Sequence, residues 1–100
     1  MVAKKTIRVT VELTNLARHF AKASSIEMEL TVGTTFGQIV ARLAELYPEL
    51  VGIIIDPQTL TLLNSNFLII NGEMGDPAFL MEESPQDGDR LTLVSVATGG

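Results

Sequence analysis

One hundred residues are enough for a single domain with its own apolar core. With 46% hydrophobic and 5% aromatic residues, the composition is that of an ordinary globular chain and excludes a disordered or fibrous polymer. The formal charge of −5 repels phosphate backbones, which sets nucleic acid aside as a partner and favours encounter with a basic protein. The chain has no cysteine, so it holds no disulfide framework, thiolate metal site or cysteine nucleophile. Met1-Val-Ala-Lys-Lys lacks the apolar run of a signal peptide, and no stretch is long enough to span a membrane. A cytoplasmic protein without membrane contact is the expectation.

Residues 6–13 alternate strictly, with Ile7, Val9, Val11 and Leu13 on one face and Thr6, Arg8, Thr10 and Glu12 on the other. Period two over eight residues predicts a half-buried strand. Residues 25–32 repeat the pattern, with Ile26, Met28, Leu30 and Val32 inward. Between them, Leu16, Ala17, Phe20 and Ala21 stand at helical spacing and predict a turn or two of helix in a long connector.

After Gly33-Thr34, Thr35 and Gln38 stand at capping-box spacing, each side chain placed to satisfy an orphan N–H at a helix start. Phe36, Ile39, Val40, Leu43 and then Leu46 or Tyr47 form one apolar stripe, and Pro48 marks the end. That stripe must pack on the apolar face of the two strands. Residues 49–66 read as an irregular crossing with one helical turn. Phe67-Leu68-Ile69-Ile70 predicts a strand, and Asn71-Gly72 fits a tight hairpin turn. A short edge strand is expected over 78–81, and Gln86-Asp87-Gly88-Asp89 is a turn sequence.

The final strand, 90–96, is apolar at Leu91 and Leu93 on one parity and at Val94 and Val96 on the other. Such a strand is expected at the centre of a sheet, covered on both faces or partly by a partner. It runs into Ala97-Thr98-Gly99-Gly100. Without Cβ atoms, Gly99 and Gly100 allow a backbone to thread a narrow channel, leaving the α-carboxylate of Gly100 on a slender lead. The expected division is a domain over 1–96 and a flexible tail over 97–100.

Other chemical candidates are weak. His19 has no nucleophile and orienting group in view, and is expected to be structural or solvent-facing. Asp87 and Asp89 flank Gly88 without the ligand run of a calcium loop, which favours a plain turn. Glu82-Glu83 fits a solvated loop, and Gly72, Gly75 and Gly88 never form a phosphate cradle at a helix start. No catalytic or metal-binding set emerges.

The order strand, strand, helix, irregular crossing, strand, short strand, strand, ending in Gly-Gly, resembles the ubiquitin-like sulfur carriers of the MoaD and ThiS family. The residues carrying that resemblance are the opening hairpin, Thr35 to Tyr47 with Pro48, Phe67 to Gly72, Asp87-Gly88-Asp89 and Gly99-Gly100. Chain length suits MoaD-like and CysO-like members better than the shorter ThiS. The tail, Val94-Ser95-Val96-Ala97-Thr98, lacks the aromatic and prolines common before the glycines of MoaD-like carriers, which leaves the receiving pathway open.

The resemblance implies an α+β, β-grasp fold, a mixed sheet of four or five strands packed on one main helix. It implies a carrier rather than an enzyme. An ATP-dependent adenylating enzyme would activate the Gly100 carboxylate. Sulfur from a persulfide donor would then replace AMP, and the resulting thiocarboxylate would supply a synthase subunit of molybdopterin or cysteine synthesis. Gly99 would serve tail threading, with Phe67, Leu68, Val94, Val96, Ala97 and Thr98 as docking candidates. No cofactor or metal would be bound by this chain, ATP and sulfur arriving through partners. The alternatives are a ubiquitin-like modifier conjugated through Gly100 and a non-catalytic β-grasp interaction module.

Overall fold

The computed structural model describes residues 5–63, 66–75 and 80–95. Its elements are β1 (Thr6–Leu13), α1 (Asn15–Ala21), β2 (Ser25–Thr31), α2 (Phe36–Leu46), a 3-10 turn at Pro48–Leu50, β3 (Asn66–Ile70), β4 (Glu73–Met74) and β5 (Arg90–Ser95). The strands form one five-stranded sheet in the order β2-β1-β5-β3-β4. β1 and β5 run parallel, whereas the β1–β2, β3–β5 and β3–β4 pairs are antiparallel. This is the mixed sheet of a β-grasp fold, with β5 at its centre as its two apolar parities predict.

Alternation in β1 and β2 places Val9, Val11, Leu13, Met28 and Leu30 on the inner face, all buried. α2 covers them with Phe36, Ile39, Val40, Leu43 and Ala44. Its start is fully satisfied. Gln38 N–H donates to Thr35 Oγ1 at 3.2 Å, and Thr35 N–H donates to Gln38 Oε1 at 2.9 Å. Phe36 N–H and Gly37 N–H donate to the carbonyls of Glu83 (2.8 Å) and Met81 (3.1 Å). A Cβ on Gly37 would stand 3.0 Å from that Met81 oxygen, so the close approach favours glycine.

The apolar stripe ends at Tyr47, which packs against the core, while Leu46 is 53% exposed. Val32, expected inward, lies in the turn after β2 and is 55% exposed. The strand had already ended, and alternation carries no force in a turn. Residues 51–63 form the irregular crossing, which buries Ile54 and Ile55 and closes through bridges of Ile55 with Val51 and Leu62.

The edge strand falls earlier than expected. Asn71 and Gly72, at φ 51° and 83°, make the tight turn between β3 and β4, and Met74 pairs with Ile69. Of the stretch 78–81, Ala78 and Phe79 lie outside the described residues. Leu80 is helical and buried, and Met81 is in a turn beside α2. The Met81 carbonyl accepts from Gly37 N–H at the α2 start and the Leu80 carbonyl from Glu83 N–H in a local turn, so these two carbonyls bond away from the sheet.

Candidate functional site: the open face and exit end of the last strand

Partners across each ladder share a face of the sheet. Leu68 pairs with Leu93, and these two side chains are 2% and 0% exposed beneath the α2 layer. The next rung, Phe67 with Val94, therefore faces away from α2, and both residues are half-buried. Ile69 and Met74 continue that outer surface beyond them. Leu68 thus belongs to the core, because its parity is that of Leu93. Phe67 and Val94 form the apolar surface, one residue before the last described position of β5.

The outer face has two halves of different chemistry. On the β1–β2 side, Arg8 pairs with Glu29 and Thr10 with Glu27. Arg90 Nε lies 3.1 Å from Glu12 Oε1. On the β5–β3–β4 side, Val94, Phe67, Ile69 and Met74 present hydrocarbon, with Met74 60% exposed. A groove of about 460 Å³ adjoins this side, lined by Leu62, Leu63, Phe67, Met74 and Leu80 among others. Ile69 and Met74 escape notice in the sequence, because only the β3–β4 register assigns them to the outer face.

Both ends of β5 are tied by side chains. At its start, Asn71 Oδ1 accepts from Arg90 N–H and Asn71 Nδ2 donates to Asp89 Oδ1, each at 2.9 Å. Asp87 Oδ1 accepts from Arg8 N–H at 2.8 Å, and Asp89 Oδ2 from Gln86 N–H at 2.9 Å. The aspartates flanking Gly88 therefore serve the turn. At its other end, Thr14 Oγ1 donates to the Leu93 carbonyl at 2.7 Å and Asn15 Nδ2 to the Ser95 carbonyl at 3.1 Å. Ser95 Oγ donates to Asn66 Oδ1 at 2.6 Å.

Of the remaining candidates, His19 is exposed and meets Phe20 edge-on, with ring centroids 5.0 Å apart. Among the described residues there is no cluster of three metal-ligating side chains. Val96, Ala97, Thr98, Gly99 and Gly100 lie outside the described residues.

Sheet order, parallel β1–β5 pairing and the α2 layer over one face define a ubiquitin-like β-grasp protein. The family model of the ThiS family matches residues 11–100, and the chain belongs to that family. Solved structures of the same fold include small archaeal modifier protein 1 from Methanosarcina acetivorans, 20% identical with a TM-score of 0.78, covering 96% of this chain and 99% of that one. Urm1 from Trypanosoma brucei is 23% identical with a TM-score of 0.70, covering 98% and 100%. A protein assigned as molybdopterin converting factor, subunit 1, from Pyrococcus furiosus is 14% identical with a TM-score of 0.70, covering 91% and 99%. No curated protein matches the chain.

Proposed function

We infer that this chain is a sulfur carrier that acts through the carboxylate of Gly100. The observation that carries the reading is membership of the ThiS family over residues 11–100, a match that takes in the Gly99-Gly100 pair. A carboxylate is a poor electrophile until one of its oxygens becomes a good leaving group. An adenylating enzyme joins Gly100 to AMP and releases pyrophosphate. Hydrosulfide then bonds through sulfur to the acyl carbon, the acyl carbon's bond to the phosphate oxygen breaks, AMP departs with that electron pair, and the sulfur loses its proton to solvent. A persulfide nucleophile would first give an acyl disulfide that a thiol must reduce. The product is a thiocarboxylate.

ATP, the sulfur source and the catalytic groups belong to the partners in this reading, and the chain itself is not an enzyme. The outer rung of Phe67 and Val94 is where the adenylating enzyme, and then a sulfur-accepting synthase subunit, would dock. Desolvating an apolar surface on the strand that leads to the tail would give a recognition site. Molybdopterin and cysteine synthesis are both compatible destinations. A cytoplasmic setting suits such chemistry, and among the described residues no helix is long and apolar enough to cross a membrane.

Intact-mass spectrometry tests the reading. Incubation with an adenylating enzyme of the same organism, ATP and sulfide should raise the mass by the difference between sulfur and oxygen. An unchanged mass would sink it. A second reading, protein modification through Gly100, draws on the likeness to a protein named as a modifier. It predicts lysine-linked adducts in cell extracts that vanish when Gly99 and Gly100 are deleted.

A further inference from the structure

The junction between β1 and α1 departs from local preference in two ways. Thr14 has the extended backbone of a helix N-cap, φ −126° and ψ 161°, yet makes no side-chain capping bond. Its hydroxyl donates to the Leu93 carbonyl instead, and its N–H reaches the same oxygen at 3.3 Å. Capping hydroxyls ordinarily stabilise the helix they precede. Asn15, the next residue, sits at φ 51°, a left-handed conformation uncommon outside glycine. Turned in this way, its amide reaches the Ser95 carbonyl. Both departures converge on the last three described residues of β5.

Asn66 closes the same end from the opposite side. It faces Ser95 across the ladder and accepts the Ser95 hydroxyl proton. Its own amide Nδ2 donates to the Leu63 carbonyl at 3.1 Å, which fixes its orientation. The terminal residue of a strand ordinarily frays. Here the Ser95 carbonyl and hydroxyl are each held by a side chain from a different neighbouring segment.

We propose that Thr14, Asn15 and Asn66 form a collar of positioning residues that keeps β5 paired through Ser95, so that the chain leaves the docking rung from a fixed point. This rests on the carrier reading above. A partner that docks on Phe67 and Val94 must find the tail at a fixed distance from them, and Val94 adjoins Ser95 in the chain. If the strand frayed, each freed residue would have to be ordered again when the tail enters an active site, and the entropy of ordering one residue lowers a rate by about tenfold. Asn15 is the member whose left-handed conformation and amide bond both direct it to the strand end.

Asn15→Gly and Asn15→Asp separate positioning from folding. Glycine takes φ 51° without strain but has no amide, and aspartate tolerates that region but cannot donate from an ionised carboxylate. The purified full chain is assayed with an adenylating enzyme of the same organism, following ATP-dependent pyrophosphate release. Both variants should keep the wild-type melting temperature within a few degrees and the wild-type KM, while kcat falls by about tenfold. In parallel, the 15N heteronuclear NOE of Val94 and Ser95 should fall in both variants while that of Val11 stays fixed. Unchanged kcat and NOE values in Asn15→Gly would overturn the collar. A wild-type chain that releases no pyrophosphate overturns the carrier reading instead, and the NOE then still decides whether Asn15 holds the strand end.

Discussion

Leu68 faces Leu93 across the β3–β5 ladder, and Phe67 faces Val94 on the adjacent rung. The backbones are continuous and all four side chains are apolar, yet one pair is sealed under α2 and the other lies on an open face. The difference teaches that hydrophobicity alone does not separate core from interface in a central strand. Parity relative to the covering helix does. Among the described residues, an apolar rung on the side away from α2 is only half-buried, and that makes it the stronger candidate for binding.

Leu93→Ala should show the largest effect on this contrast. Truncating a side chain at 0% exposure leaves a cavity, with an expected loss of about 2–5 kcal/mol. Thermal unfolding by circular dichroism should register a drop of roughly 10 °C or more for a chain of this size. A fall comparable to that of a surface mutation would mean that the two rungs are not different in kind.

Val94→Asp should do the reverse. Its cost in unfolding experiments is expected at about 1 kcal/mol, the span of strand preferences for such a position. Its KM for the adenylating enzyme should rise about tenfold, equivalent to roughly 1.4 kcal/mol of lost binding. An unaltered KM would remove the outer rung from the docking surface and leave only its proximity to Ser95. Glu12→Gln, on the polar half of the same face, sharpens the comparison from below. Arg90 is exposed and Glu12 half-buried, so loss of the pair should change urea unfolding by no more than about 1 kcal/mol.

Much of the fold is readable in the residues. Strict alternation over 6–13 places Val9, Val11 and Leu13 correctly, and the spacing of Thr35 and Gln38 marks a helix start whose reciprocal bonds are formed. Asn71-Gly72 is legible for the same reason, a local turn whose φ values the residue types favour. Where the reading slips, the cause lies in distant contacts. Val32 continues a pattern past the end of its strand, and Met81 is claimed by the start of α2 and Leu80 by a turn with Glu83 rather than by the sheet edge. Leu68 looks as available as Phe67 until β3 is set against β5.

The two asparagines at φ 51° mark the same boundary. Asn71 announces itself through the glycine that follows. Asn15 follows a threonine and precedes a leucine, a context that gives no hint of a left-handed turn, and its partner lies 80 positions away at Ser95. By itself the sequence determined the elements, the helix cap, the central place of β5 and the family resemblance, because periodicity, capping and turns act over a few residues. Tertiary structure alone decided which apolar parity of β3 and β5 is buried, where the edge strand lies and what grips the end of β5. Those depend on register and on which face α2 covers, and both are set by chain segments far apart in sequence.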